Sequence, residues 1–122
     1  MKTVIVIVCF NPCDSFFDDN FNIANALYII VDNTVIPQAS FIARLANFKD
    51  VMYLPQYNNT GIAKALNIGC EKALELGYHY VITMDQDSKV TDEIITSLLN
   101  YYDKMKLQQN ISIVSPTHLL QG

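Results

Sequence analysis

The chain has 122 residues, of which 51% are hydrophobic and 16% charged. This composition predicts a single globular domain over residues 1–122 and excludes a disordered chain. The net charge is −4 and the eight Lys and Arg residues are scattered, so we expect no nucleic-acid partner, which would need grouped basic residues. Cys9, Cys13 and Cys70 lack disulfide or zinc-ligand spacing, which favours reduced thiols in a cytoplasmic protein.

Two strands and a helix are predicted in the first part of the chain. Residues 4–10 are a continuous apolar, β-branched run, typical of a strand buried on both faces, and Asn11-Pro12 ends it. A short helix is predicted over residues 16–27, although the asparagines in this segment weaken that prediction. Residues 28–31 predict a second strand, which ends at Asp32-Asn33.

The following segments continue the alternation of helix and strand. Pro37 suits the first turn of a second helix, and residues 51–54 predict a third strand. Residues 62–76 have the clearest helical pattern in the chain, and Gly77 is expected to end that helix. The last predicted elements are a strand at residues 80–84, a helix capped by Thr91 and a strand at residues 111–114.

This order predicts an α/β fold with three layers, in which helices cover both faces of a mostly parallel sheet. Ligands of such sheets bind beyond the carboxyl ends of the strands. Four predicted strands are each followed by a polar cluster, at residues 11–12, 32–33, 58–61 and 85–87. We therefore expect these clusters to share one edge of the sheet, and their convergence indicates a ligand site there.

Asp85 and Asp87 are the most informative residues of this set. In an extended chain they point to the same face, with Cα atoms about 6–7 Å apart. At ~5 Å between charges, an effective dielectric of ~20 gives roughly 3 kcal/mol of repulsion. A hard divalent cation reverses that sign, and Mg²⁺ typically binds carboxylates together with substrate phosphates. The pair predicts a metal–diphosphate site, while a solvated turn between strand and helix is the structural alternative.

Two other positions also have both a functional and a structural interpretation. Asp32 could accept a hydrogen bond from a base N–H or a ribose hydroxyl, or it could simply form the turn after its strand. Residues 59–61 open the best predicted helix, whose free N–H groups could face an anion. The alternative is simple capping of that helix by Asn59 or Thr60. No glycine-rich dinucleotide motif or P-loop is present.

Four segments of the chain together resemble the amino-terminal, nucleotide-binding part of family 2 glycosyltransferases with the GT-A fold, and the rhamnosyltransferase-like branch most of all. The segments are residues 6–12 (VIVCFNP), 29–33 (IIVDN), 59–69 (NTGIAKALNIG) and 84–88 (MDQDS). The resemblance implies a nucleotide-sugar donor, dTDP-rhamnose or a UDP-sugar, and a saccharide or lipid-linked acceptor. It also implies a Mg²⁺ or Mn²⁺ cofactor and places the reaction in the cytoplasm, with the inner face of the membrane as one location.

The resemblance also implies a role for individual positions. Residues that would contact the nucleotide or line the donor pocket are Phe10, Asn11, Asp32, Asn59, Gly61, Ala65, Asp85 and Gln86. The metal ligand would be Asp87, with Asp85 as the second. Transfer would invert the anomeric carbon, and the catalytic base, which no residue of the chain matches, is expected beyond Gly122.

The chain also departs from the family pattern. Cys9 replaces a usual Thr, and Thr34-Val35 replaces a usual Gly-Ser after the second strand. The expected acceptor half is absent, so the chain is expected to be either a fragment or a shortened relative, and homo-oligomer formation through exposed apolar surface is a further expectation. Two other functions stay open, a non-catalytic nucleotide-binding module and a nucleotidyltransferase, although the latter lacks its usual basic, glycine-rich loop.

Overall fold

The computed structural model describes residues 3–18, 20–21, 23, 25–78, 80–86 and 112–114, without the side chains of residues 85 and 112–114. Its strands are β1 (Thr3–Cys9), β2 (Ala26–Asp32), β3 (Val51–Pro55), β4 (Tyr80–Asp85) and β5 (Ser112–Val114). They form one five-stranded sheet in the order β3-β2-β1-β4-β5, and every pairing is parallel. The predicted α/β fold with a parallel sheet is confirmed.

The central strand β1 is buried on both faces, as its unbroken apolar run predicts. Ile5, Ile7 and Cys9 face one hydrophobic cluster, whereas Val4, Val6 and Val8 face the other. Side chains alternate between the two faces of a strand, so β1 contributes to both halves of the core.

A helix covers each face of the sheet. Helix α1 (Ala39–Leu45) buries Phe41 and Leu45 in the first cluster. Helix α2 (Ile62–Glu75) buries Ala65, Cys70 and Ala73 in the second. The three-layer arrangement is therefore confirmed, and no helix among the described residues is long and apolar enough to cross a bilayer.

The predicted helix over residues 16–27 is wrong. A short 3-10 helix occupies Asp14–Phe17, and β2 already begins at Ala26. The Asn20 side chain donates to the Phe16 carbonyl at 2.6 Å, so it takes the acceptor that an α-helix would offer to the Asn20 backbone N–H. Phe21 and Asn25 have φ of 70° and 58°, which a right-handed helix does not allow.

The other predicted elements that fall in the described region are present with small shifts at their ends. Helix α1 begins two residues after Pro37, and α2 is followed by Gly77 with φ of 90°, as a left-handed helix stop requires. Cys9 and Cys70 are buried and Cys13 is exposed, and none of the three forms a disulfide with another described residue. The predicted helix at Thr91 lies outside the described residues.

Candidate functional site

The loops that follow β1, β2 and β3 meet the end of β4 at one edge of the sheet. We call this edge the carboxyl rim and define it as residues 10–11, 32–34, 56–61 and 85–86. The parallel register pairs Cys9 with Asp32, Asp32 with Pro55 and Val8 with Asp85, so the strands end at nearly the same level. The predicted convergence of the polar clusters on one edge is confirmed for the described residues.

The strand order places a topological switch point between β1 and β4, because the chain builds outward from β1 in both directions. In open α/β sheets this is where a crevice forms and ligands bind. The residues that border it are Phe10 and Asn11 after β1, and Asp85 and Gln86 at the end of β4. Phe10 is 45% exposed, so an aromatic residue is accessible at the crevice.

Gln86 ties the two sides of the switch point together. Its Oε1 accepts a hydrogen bond from the Phe10 backbone N–H at 2.6 Å. Glutamine at this position therefore fixes the loop after β1 to the end of β4. The bond leaves the Phe10 ring free to contact a ligand, since it uses only the backbone of that residue.

Thr34 ties the loop after β1 to the loop after β2. Its Oγ1 accepts from the Asn11 N–H at 2.7 Å, and its own N–H donates to Asp32 Oδ1 at 3.0 Å. Asn11 has φ of 45°, a conformation that asparagine tolerates better than most residues. Thr34, one of the departures from the family pattern, thus forms the local turn through these bonds.

The Asp32 carboxylate is enclosed. It is 1% exposed, and its Oδ2 accepts from the Tyr53 hydroxyl at 2.6 Å. Burial, the Asp32 charge and a hydrogen bond to Asp32 raise the pKa of the Cys9 thiol far above its usual range. Burial and the Asp32 hydrogen bond raise the pKa of Tyr53 in the same way. Both groups therefore stay protonated, and each can donate to the carboxylate.

The turn-forming interpretation of Asp32 describes what the structure contains. A contact of Asp32 with a base N–H or a ribose hydroxyl stays a prediction. The carboxylate has lone pairs for further donors, but no open path to solvent in this conformation.

Residues 59–61 form a shaped loop in front of α2. Gly61 has φ of 86° and ψ of 161° and no side-chain cap contact, a conformation almost restricted to glycine. Asn59 Oδ1 accepts from the Gly61 N–H at 3.2 Å. Thr60 Oγ1 donates to Asn33 Oδ1 at 2.8 Å, and Asn33 Nδ2 donates to the Gly61 carbonyl at 3.2 Å. Simple capping of α2 by Asn59 or Thr60 is therefore not what these side chains do.

The remaining predicted site residues are placed less favourably or lie outside the described part. Ala65 has no exposed surface and packs in the core beneath α2, so its side chain does not line the rim. Asp85 ends β4 beside the switch point, which suits an oxygen ligand, but its side chain and all of Asp87 are not described. Among the described residues, no three His, Cys, Asp or Glu side chains group as a metal site. The metal ligands stay a prediction.

The sequence did not reveal that Tyr53, Asn33 and Thr34 connect the rim. The sequence pattern assigns Tyr53 only to the third strand, places Asn33 in a polar cluster, and offers Thr60 as a cap of the helix that follows. The signal for Tyr53 is the register that pairs it with Ile30, which places it diagonally beside Asp32 on the same sheet face. That register follows from the three-dimensional pairing of β2 with β3.

Comparisons with known proteins agree with this architecture. The model of the family described as "Glycosyl transferase family 2" matches residues 18–115. The chain is also 34% identical over 95 residues to a protein of Shigella flexneri named "dTDP-rhamnosyl transferase RfbF". That match covers 78% of this chain but 30% of the relative, so the chain spans under a third of the relative's length.

Proposed function

The chain belongs to glycosyl transferase family 2, and on that premise we propose that it forms the donor-binding part of a glycosyltransferase. The donor would be a nucleotide diphosphate sugar, with dTDP-rhamnose favoured because the relative named above is a dTDP-rhamnosyl transferase. The acceptor would be a saccharide or a lipid-linked saccharide in the cytoplasm. The observation that carries the proposal is the carboxyl rim at the switch point between β1 and β4. There a hydrogen bond from the Phe10 N–H to Gln86 joins the loop after β1 to the end of β4.

The base and ribose would lie against the loop after β1. Phe10 offers an exposed ring on which the base can stack. Such stacking does not depend on which base is present, because every base has a π-face. The Gln86 bond to the Phe10 N–H holds that loop in place before the ligand arrives. A loop fixed in advance lowers the ordering cost of binding.

The diphosphate would lie between the end of β4 and the loop of residues 59–61. Asp85 and Asp87 are the oxygen donors that we propose for a Mg²⁺ or Mn²⁺ ion, and Asp32 is excluded from this role because its carboxylate is enclosed. When bound, the ion would offset the negative charge of the departing nucleoside diphosphate. The displacement itself would invert the anomeric carbon, and we assign its catalytic base to no described residue.

The alternative of a non-catalytic nucleotide-binding module is not favoured, because the family and the similar protein are transferases. The second alternative, a nucleotidyltransferase, is not favoured for the same reason. Both alternatives would also have a nucleotide site, so nucleotide binding alone does not distinguish them from a glycosyltransferase. Measured hydrolysis of the sugar donor, or transfer of its sugar, does.

The proposal is tested by measuring thermal stability with dTDP or UDP, with and without Mn²⁺. A ligand at about 100 times its Kd stabilises the native state by ~2.7 kcal/mol. We expect dTDP to stabilise the unaltered chain only when the metal is present. In Asp87→Asn, added metal should no longer increase the stabilisation by dTDP. The matched control is Glu75→Gln, an exposed acid at the far end of α2, which should bind like the unaltered chain. Equal stabilisation with and without metal would overturn the proposed metal site.

A further inference from the structure

Asn33 connects three parts of the fold although it lies in a loop. It follows the last residue of β2, and its backbone N–H donates to the Cys9 carbonyl at 2.8 Å, which extends the ladder to β1. The residue as a whole is 2% exposed. Both side-chain heteroatoms reach forward to the loop of residues 59–61, where they meet Thr60 and Gly61.

Asn33 accepts one of these hydrogen bonds and donates the other, which fixes the orientation of its amide group. Asn33 Oδ1 accepts from the Thr60 hydroxyl at 2.8 Å, and Nδ2 donates to the Gly61 carbonyl at 3.2 Å. The same Gly61 carbonyl also accepts the first helical bond, from the Ala65 N–H at 3.1 Å. Asn33 therefore holds the point at which the loop turns into α2.

The place of loop 59–61 in the fold gives this contact a purpose beyond packing, because the loop lies on the carboxyl rim, the edge at which ligands of parallel sheets bind. Gly61 has backbone torsions that glycine adopts at little cost and that other residues avoid. Glycine also gives the chain more conformational freedom than any other residue, so the shape of this loop depends on the contacts around it. Asn59 adds a bond from inside the loop, but Asn33 supplies the connection to the rigid sheet.

We propose that Asn33, acting with the Thr60 hydroxyl, is a positioning residue that holds loop 59–61 in the shape required by the bound diphosphate of the donor. This inference rests on the proposed function, since it assigns the same site a support that the donor does not touch. Without the bond the loop would sample other conformations, and the nucleotide would bind only the fraction that is correctly shaped.

The test compares Thr60→Val, Thr60→Ser and the unaltered chain by titration calorimetry with dTDP and Mn²⁺. Valine keeps the branched shape and removes the hydroxyl, so we expect the Kd to rise roughly fivefold or more, as for one lost hydrogen bond. Serine restores the hydroxyl and should restore the affinity. Asn33→Leu should weaken binding further, because both of its bonds to the loop are removed.

Leu45→Ala controls for loss of stability alone. Leu45 packs on the opposite face of the sheet from α2, so the variant should lower the Tm and leave the Kd unchanged. The inference is overturned if Thr60→Val binds as tightly as the unaltered chain, or if Leu45→Ala weakens binding equally. Failure of the unaltered chain to bind dTDP would overturn the proposed function together with the inference, which distinguishes the two failures.

Discussion

The most direct test of how α2 is seated is Gly69→Ala. A Cβ added at Gly69 would lie 2.5 Å from Val6 Cγ1 and 3.2 Å from Val31 Cγ2. Val6 and Val31 have no exposed surface, and branched side chains are stiff at χ1, so neither can move aside easily. Glycine at this position allows the close approach that places the start of α2 at the carboxyl rim.

Two effects of opposite sign determine the outcome. Alanine in a helix interior is favoured over glycine by about 1 kcal/mol, whereas overpacking a core typically costs ~1–3 kcal/mol. The 2.5 Å contact is far inside van der Waals distance, so we expect the upper part of that range. The net destabilisation should be about 1–2 kcal/mol, which lowers the Tm by roughly 3–10 °C for a domain of this size.

Urea denaturation of Gly69→Ala, Asn67→Ala and the double variant Gly69→Ala/Val6→Ala measures these terms. Asn67 is exposed on the same helix, so its replacement reports helix propensity alone and should be neutral or stabilising. Removing the Val6 methyl groups should relieve the clash, and the two substitutions should therefore couple favourably. A Gly69→Ala chain at least as stable as Asn67→Ala would refute the close approach.

Three further predictions concern the rim. Gly61→Ala meets no neighbour within 4 Å, so its cost should be backbone strain alone, about 1–3 kcal/mol in chemical denaturation, and a neutral result would contradict the assigned torsions. Gln86→Leu removes the acceptor of the Phe10 N–H; water can replace that bond, so stability should change by less than about 1 kcal/mol, while dTDP affinity in calorimetry should fall. Burial raises the pKa of the Cys9 thiol, so the folded chain keeps this proton at pH values where the unfolded chain has lost it. The contribution of Cys9 to the free energy of unfolding is therefore complete below the unfolded pKa of about 8.5 and falls as the pH rises above that value. Cys9→Ala should therefore flatten the alkaline fall of the unfolding free energy, whereas the exposed control Cys13→Ala should not.

Local sequence patterns were sufficient to predict the helices and strands whose buried residues follow a regular spacing. The β-branched runs of β1 and β2 and the helical spacing of α2 are unambiguous, and alternating strands and helices then imply a parallel sheet with one polar edge. The segment at residues 16–27 could not be predicted, because an asparagine side chain in place of a backbone N–H bonds the Phe16 carbonyl. Sequence patterns reflect helix propensity, and they do not show when a side chain takes the hydrogen-bond acceptor of a backbone N–H.

The connections within the rim could not be predicted because they join residues far apart in the chain. Asn33 and Gly61 are 28 residues apart, and Asp32 and Tyr53 are 21 apart. Which side chains meet depends on strand register and on the depth at which α2 packs. The sequence can show that polar residues share an edge, but not which of them bind one another and which remain for a ligand.

The central claim is that the carboxyl rim at the switch point binds a nucleoside diphosphate. An amide NMR titration of the full chain with dTDP and Mg²⁺ tests it most directly. We predict shift changes at the backbone N–H groups of Phe10, Asn11, Gly61 and Gln86, with little change at Thr3, Ala26 and Val51 at the opposite ends of the strands. Changes confined to those opposite ends, or no changes at saturating dTDP, would contradict the account.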